Sequence, residues 1–348
     1  MKDGAGNSDP DLVYVSDDGP GIVRERLKNG FRYTDSSGKT ITDESTLARI
    51  KALAIPPAYE DVWICPSDNG HLQATGRDAR GRKQYRYHDQ WARIRDADKY
   101  QQLYAFGMAL PRIRRRVAKD LSKHALCQEK IIASVVRLLD ISLIRIGSQA
   151  YAHANKSYGL TTLKRRHVAI TSDRIRFRFK GKSGVQHDVT VTDARVARII
   201  KRCMDIPGHQ LFHYKDSDGT LHAIDSNAVN AYLKEAAQQD FTAKDYRTWA
   251  GSVQALAELQ RTPSSSESAA RRTVVEVIKK VSRHLANTPT ICRKCYVHPA
   301  ILDCYLQGRL PARHAKPSGP RELRADEKRL LEFLRRLPAG HEICSVRD

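Results

Sequence analysis

Five side chains scattered through the sequence, Arg145, Lys182, Arg247, Asn287 and Tyr296, are of the types needed to break and remake a phosphodiester. Two arginines can grip the non-bridging oxygens through paired N–H donors, a lysine can hand a proton to a leaving oxygen, and a tyrosine can attack phosphorus and hold it covalently. That chemistry calls for no nucleotide loop and no metal cage. None is recognisable in the sequence, so the expected cofactor is none and the expected metal is none.

Taken singly, each of these residues has an ordinary explanation. Arg145 is read in the last turn of an apolar helix, where the helix dipole favours any cation. Lys182 falls in a Gly-rich turn. Arg247 is read near the start of a helix, where the dipole gives a cation nothing, so it needs an anionic partner, either a carboxylate or a phosphate. Tyr296 alone would be a half-buried tyrosine. The combination carries the argument.

The elements that must hold these groups can be read from periodicity. Apolar residues recur at helical spacing over 98–121 and 128–146, with Gly147 placed to end the second helix. Between His167 and Val191 the period drops to two, as Ile175, Phe177 and Phe179 alternate with Arg174, Arg176 and Arg178. The Gly181-Lys182-Ser183-Gly184 turn then predicts a hairpin with one basic face. Helical patterns return over 193–204, 226–239, 244–260 and 267–286, and Thr288-Pro289 supplies a cap and first-turn pair for another helix. A short charged helix is expected near 325–336, after a Pro-rich, basic stretch.

Upstream, runs such as Leu12-Val13-Tyr14-Val15 and Asp61-Val62-Trp63-Ile64, separated by Gly19-Pro20-Gly21 and Asp68-Asn69-Gly70, read as short strands, with a helix around 43–53. The expected fold class is α+β. A small strand-rich domain is expected over 1–90, and a larger, mainly α-helical domain with a small antiparallel sheet and a basic tail over 91–348.

The 348 residues carry a formal net charge of +21, which points to a polyanionic partner. Gly76 to His88 sets Arg80, Arg82 and Lys83 before a strand-like Gln84-Tyr85-Arg86-Tyr87, which places cations for phosphates beside side chains for base edges and sugars. A second basic run, Arg112, Arg114, Arg115, Arg116 and Lys119, is expected to touch the phosphate backbone from a helix face. The seven cysteines fit reduced thiols rather than a disulfide framework. Cys292 and Cys295, with His298 and Cys304 nearby, have half the spacing of a zinc knuckle. No signal-peptide core or membrane-spanning run is found, so a soluble cytoplasmic protein is expected.

Six motifs in order carry a resemblance: Gly-Arg-Asp-Ala-Arg-Gly-Arg-Lys-Gln-Tyr-Arg-Tyr from Gly76, Ile-Arg-Ile-Gly around Arg145, Tyr-Gly-Leu-Thr-Thr-Leu-Lys from Tyr158, Phe-Lys-Gly-Lys ending at Lys182, Lys-Asp-Tyr-Arg-Thr-Trp around Arg247, and the segment Asn287 to Tyr296. In these the chain resembles the small, poxvirus-like type IB DNA topoisomerases of bacteria, closest to the Deinococcus form. The resemblance implies a bacterial, nucleoid-associated monomer clamped around double-stranded DNA, which relaxes supercoils by transient single-strand cleavage through a 3′-phosphotyrosine, with neither ATP nor metal.

By the same resemblance Tyr296 matches the nucleophile, Arg145 and Arg247 the phosphate-binding arginines, and Lys182 the general acid. Lys244 matches a further active-site lysine, and Gln84, Tyr85 and Tyr87 match DNA contacts. Asn287 stands where most relatives have histidine; it can donate a hydrogen bond but cannot carry positive charge. A tyrosine recombinase, which usually has histidine at the position of Lys244, and a non-enzymatic architectural DNA-binding protein are the alternatives.

Overall fold

Short stretches of alternating apolar residues, bounded by turn residues, build the first part of the chain. The computed structural model describes residues 12–79, 81–313 and 316–337, apart from the side chains of 92–99 and 101. Strands β1 (Ile22–Leu27) and β2 (Gly30–Thr34) precede helix α1 (Glu44–Ala52), which is followed by β3 (Glu60–Ile64), β4 (Leu72–Arg77) and β5 (Lys83–Tyr87). They form one antiparallel sheet in the order β2-β1-β3-β4-β5. Its small core is Ile22, Ile50, Val62, Ile64 and Ala74. Asp43 caps α1 through the Thr46 amide. The 12–15 run, expected as a strand, makes only a bridge from Val13 to Gly70.

Helix α2 (Asp89–Leu121) begins well before the expected residue 98. The chain divides into two compact units, one up to Lys99 and the other from Tyr100 onward. In the second unit α2 is followed by α3 (Gln128–Ser142), α4 (Gln149–Asn155), β6 (Val168–Thr171), β7 (Arg174–Lys180), β8 (Gln186–Thr192) and α5 (Ala194–Asp205). Strands β9 (His213–Lys215) and β10 (Leu221–Ala223) then lead to α6 (Ser226–Ala237), α7 (Ala243–Arg261), α8 (Glu267–His284), α9 (Pro289–Cys295), α10 (Pro299–Leu306) and α11 (Ala325–Arg335). Among the described residues, no helix is long and apolar enough to cross a membrane.

Helix α3 is buried over almost its whole circumference, from Lys130 to Asp140, as a central helix must be. Phe106 of α2 meets Phe241, Tyr246 and Trp249 edge-on and ties α2 to α7. Strand β7 buries Ile175, Phe177 and Phe179 and turns its arginines outward, as its alternation predicts.

The basic run on α2 does something other than expected. Arg114 pairs with Asp140 of α3 at 2.8 Å and Glu327 of α11 at 2.7 Å, all three largely buried. Arg116 pairs with Asp120 and Glu235, Arg115 pairs with Glu322, and Arg112 donates to the Ala237 carbonyl and to Gln238. Four of the five cations of this run thus have partners within the protein, and Lys119 is exposed. A run of like charge looks the same in sequence whether its partners are distant carboxylates or a ligand.

Candidate active site

Arg145 lies outside the helix in which its sequence placed it. Leu143 adopts a left-handed conformation (φ 56°) and ends α3 at Ser142, so Arg145 sits on a strap beyond the helix rather than in its last turn. The strap is pinned by backbone pairing, Leu160 N–H to the Arg145 carbonyl at 2.9 Å and Thr161 N–H to that of Ile146 at 2.8 Å. Two glycines make this approach possible. Gly147 has φ +92°, and a Cβ on Gly159 would lie 2.5 Å from the Arg145 oxygen. The Ile-Arg-Ile-Gly and Tyr-Gly-Leu-Thr-Thr segments, separate in sequence, are therefore one structural unit that aims a half-buried Arg145.

Arg247 is 4% exposed. Its Nη1 donates to the Leu143 carbonyl and its Nη2 to that of Leu285 at 2.6 Å, the residues that cap the C-terminal ends of α3 and α8. Helix C-termini carry partial negative charge. They, rather than a carboxylate, are the partners this cation required. The same geometry joins three helices at one guanidinium.

Tyr296 caps the end of α9, a helix begun by Thr288 and Pro289 as expected. The Arg247 guanidinium carbon lies 5.1 Å from its ring centroid. Its backbone is seated on α7: the Ser252 hydroxyl donates to the Tyr296 carbonyl at 3.3 Å, and a Cβ on Gly251 would come within 2.5 Å of that oxygen. Ser252 also accepts from the His298 N–H at 3.0 Å. Helix α7 thus sets both the arginine and the tyrosine. Gly251 and Ser252 were not marked by any sequence pattern, because a small residue in a helix looks the same whether or not a backbone rests on it.

Arg145 Nη2 donates to the Asn287 side-chain oxygen at 2.7 Å. That bond fixes the orientation of the amide. The Asn287 Nδ2 and the Arg247 Nε are both buried and reach hydrogen-bond geometry with no acceptor among the described residues. Both side chains nevertheless act on the Tyr296 phenol as hydrogen-bond partners, so donors converge on the phenol oxygen, where an anion is favoured.

The electrostatics point the same way. Burial pushes the Tyr296 phenol up, but the Arg247 guanidinium, then Arg145 and the Asn287 amide, favour its anion more strongly, and its pKa lies below the ordinary tyrosine value. Burial, then repulsion from Arg145, lowers the Arg247 pKa. His187 of β8, a residue not singled out in the sequence, is held down to about 4 by burial and by Arg145 and Arg247.

The expected residues therefore separate into two groups. Arg145, Arg247, Asn287 and Tyr296 are brought together. Lys182, in the turn between β7 and β8, and Lys244, in the first turn of α7, are exposed, and neither ammonium has a hydrogen bond or ion pair among the described residues. Lys244 lies three residues before Arg247, on the same side of the helix.

The sequence matches the family described as eukaryotic DNA topoisomerase I, catalytic core, over residues 88–308, and the bacterial DNA topoisomerase IB N-terminal domain over residues 30–78. It is 30% identical to DNA topoisomerase 1B of Acanthamoeba polyphaga mimivirus over 82% of this chain and 87% of that protein. The chain belongs to the type IB DNA topoisomerase family. DNA topoisomerase 1B of Vaccinia virus is 23% identical over 79% of this chain and 88% of its own length. DNA topoisomerase 1 of Mycosarcoma maydis is 25% identical over 55% of this chain, but over only 21% of its own length.

In the topoisomerase's first unit, Tyr85 and Tyr87 project from one face of β5, 48% and 37% exposed and stacked with centroids 6.1 Å apart. Asp78 organises the residues before them, accepting from Arg82 Nε at 2.8 Å and from Gln84 Nε2 at 3.0 Å. Lys83 pairs with Asp17 at 2.5 Å. Arg80 lies outside the described residues. Cys292 is wholly buried beneath the tyrosine, with its thiol pushed up to about 11 by burial, and no cluster of three or more metal-ligating His, Cys, Asp or Glu side chains occurs among the described residues.

Proposed function

We propose that this chain relaxes supercoiled duplex DNA by cutting one strand through a covalent bond to Tyr296 and resealing it. The observation that carries the reading is the gathering of Arg145, Arg247 and Asn287 around one phenol whose pKa they depress. A backbone phosphate seated there would accept from all three side chains.

In the proposed step the Tyr296 oxygen forms a bond to phosphorus, and the bond from phosphorus to the 5′-oxygen breaks. The phenol proton is lost to solvent. Negative charge grows on the non-bridging oxygens, where donors fixed in advance by Arg145, Arg247 and Asn287 stabilise the transition state more than the ground state. The leaving alkoxide is far more basic than phenolate and takes a proton; Lys182 is assigned as the donor, with Lys244 as a further cation at the phosphate. The product is a 3′-phosphotyrosine and a free 5′-hydroxyl. One phosphodiester replaces another, so the bond energy is retained and the hydroxyl can attack back without ATP. The three polar groups supply the charge stabilisation that a metal ion provides elsewhere.

While the strand is open, the downstream duplex turns and supercoils of either sign relax. The two tyrosines of β5, with Gln84, Arg82 and Lys83, are assigned to grip the duplex, and the protein is assigned to act as a monomer on nucleoid DNA in the cytoplasm. The test is plasmid relaxation with chelator and no nucleotide, followed by denaturant trapping and mapping of the DNA-linked residue. Wild-type protein should relax the plasmid and become linked through Tyr296. Tyr296→Phe should bind DNA normally and leave no adduct, and relaxation by that variant would refute the reading.

A further inference from the structure

We propose that His187 is a positioning residue that seats the Lys182 turn, acting through the bare backbone of Gly181. The inference rests on the assignment of Lys182 as proton donor and gives that lysine a support. His187 lies in β8 directly across from Phe179 of β7, and the two rings stack with centroids 4.7 Å apart and an interplanar angle of 1°. His187 is 8% exposed and Phe179 5%. Past Phe179 the chain turns, with Gly181 N–H donating to the Val185 carbonyl at 2.8 Å, and Lys182 is the next residue out.

The imidazole is pressed against the start of this turn. A Cβ on Gly181 would lie 2.5 Å from His187 Nε2 and 2.6 Å from its Cδ2. Gly181 has φ −95° and ψ −167°, an extended conformation open to any residue, so glycine is needed here for space and not for backbone freedom. The histidine and the glycine fit each other, and the fit fixes where the turn leaves the sheet. Burial, then the charges of Arg145 and Arg247, hold the ring neutral at ordinary pH. A neutral ring can pack beside two guanidiniums where a cation could not. His187 therefore adds a side-chain seat to a lysine turn that is otherwise closed by backbone hydrogen bonds.

A positioning role differs from general support of the fold in which chemical step it affects. A 5′-bridging phosphorothiolate has a sulfur leaving group that needs no proton, so only losses that act through the proton donor disappear on it. We expect His187→Ala and Gly181→Ala each to slow single-turnover cleavage of an ordinary strand by roughly tenfold or more, within the range of general-acid effects. Both should cleave the phosphorothiolate within about threefold of wild type, as Lys182→Ala should. The double variant Gly181→Ala/His187→Ala should be no slower than His187→Ala alone, since the added methyl no longer meets a ring.

Equal slowing on both substrates would make His187 a general structural residue, and no slowing on either would remove it from the reaction; each outcome overturns the proposal. If Lys182→Ala itself is not rescued, the assignment of that lysine as the acid falls. The seat then stands on the coupling of the two variants, or falls if their losses multiply. Gly181→Ala, which adds one methyl beside the exposed turn, serves if His187→Ala does not fold.

Discussion

Arg145 holds the carboxamide of Asn287 by its oxygen, at 2.7 Å, and so turns the amide N–H group away from itself and into the site. Asn287 is thus oriented as a pure donor, and the arginine that orients it is itself a phosphate ligand by assignment. This coupling predicts how substitutions rank. Asn287→Asp keeps the acceptor for Arg145 but replaces the donor by a carboxylate oxygen facing the phosphate. Cleavage should fall by about 10²–10³, the loss typical of an oxyanion donor. Asn287→His should retain most of the activity, because a ring N–H restores a donor. Single-turnover cleavage rates decide, and an aspartate variant near wild type would remove Asn287 from the site.

Arg247 should behave as both a catalytic and a structural residue. Its two charged hydrogen bonds join the ends of α3 and α8, and each such bond contributes about 1.5–3 kcal/mol. Arg247→Ala is expected to lower thermal stability clearly and to abolish cleavage. Arg247→Lys should keep the charge and yet fail at both tasks, since one ammonium cannot span two carbonyls and also present a planar donor to phosphate. Melting temperature and cleavage rate, measured on the same preparations, should fall together. A lysine variant at wild-type stability would contradict the two-helix clamp.

Much of this arrangement is legible in the sequence because local pattern and tertiary structure agree there. The alternation in β7 sets the buried and exposed faces of the hairpin, and Thr288-Pro289 sets the start of the helix that delivers Tyr296. What is not legible is whatever depends on a distant partner. The Leu143 conformation that ends α3 early follows from the pairing of the strap with residues 159–161, and the partners of Arg247 are carbonyls, which every residue carries. The ion pairs of the basic run on α2 were not legible for a related reason, since its acids lie as far away as Glu322 and Glu327.

That run carries a prediction of its own. Breaking a buried ion pair by removing one partner costs about 3–5 kcal/mol. Arg114→Ala leaves Asp140 and Glu327 unpaired, and should unfold at a markedly lower temperature while the salt dependence of DNA binding is unchanged. Burial raises the Glu327 pKa, but Arg114 lowers it further, so that the folded value lies below the ordinary one. A carboxyl of that kind stabilises the fold fully above its unfolded pKa, about 4.3, and progressively less as pH falls toward the folded value. The Glu327→Gln variant should therefore lose stability at neutral pH and show a weaker decline than wild type on acidification. A reduced salt slope in Arg114→Ala would return the helix face to the DNA-binding surface.

The depressed phenol makes the pH dependence of cleavage a test of the whole site. An ordinary tyrosine with a pKa near 10 is about one-thousandth ionised at neutral pH. Because Arg247 and Arg145 outweigh burial at Tyr296, its ionised fraction is larger, and the cleavage rate of the wild type should rise with pH and level off below pH ~10. Difference spectra between wild type and Tyr296→Phe should show one phenol titrating below the rest. In Arg145→Ala the same phenol should titrate at higher pH, because burial remains while one of the opposing charges is gone, and the plateau in the rate should move with it. A Tyr296 that titrates above the ordinary value in wild-type protein would mean that desolvation outweighs the two guanidiniums, and the geometry would then no longer account for an activated nucleophile.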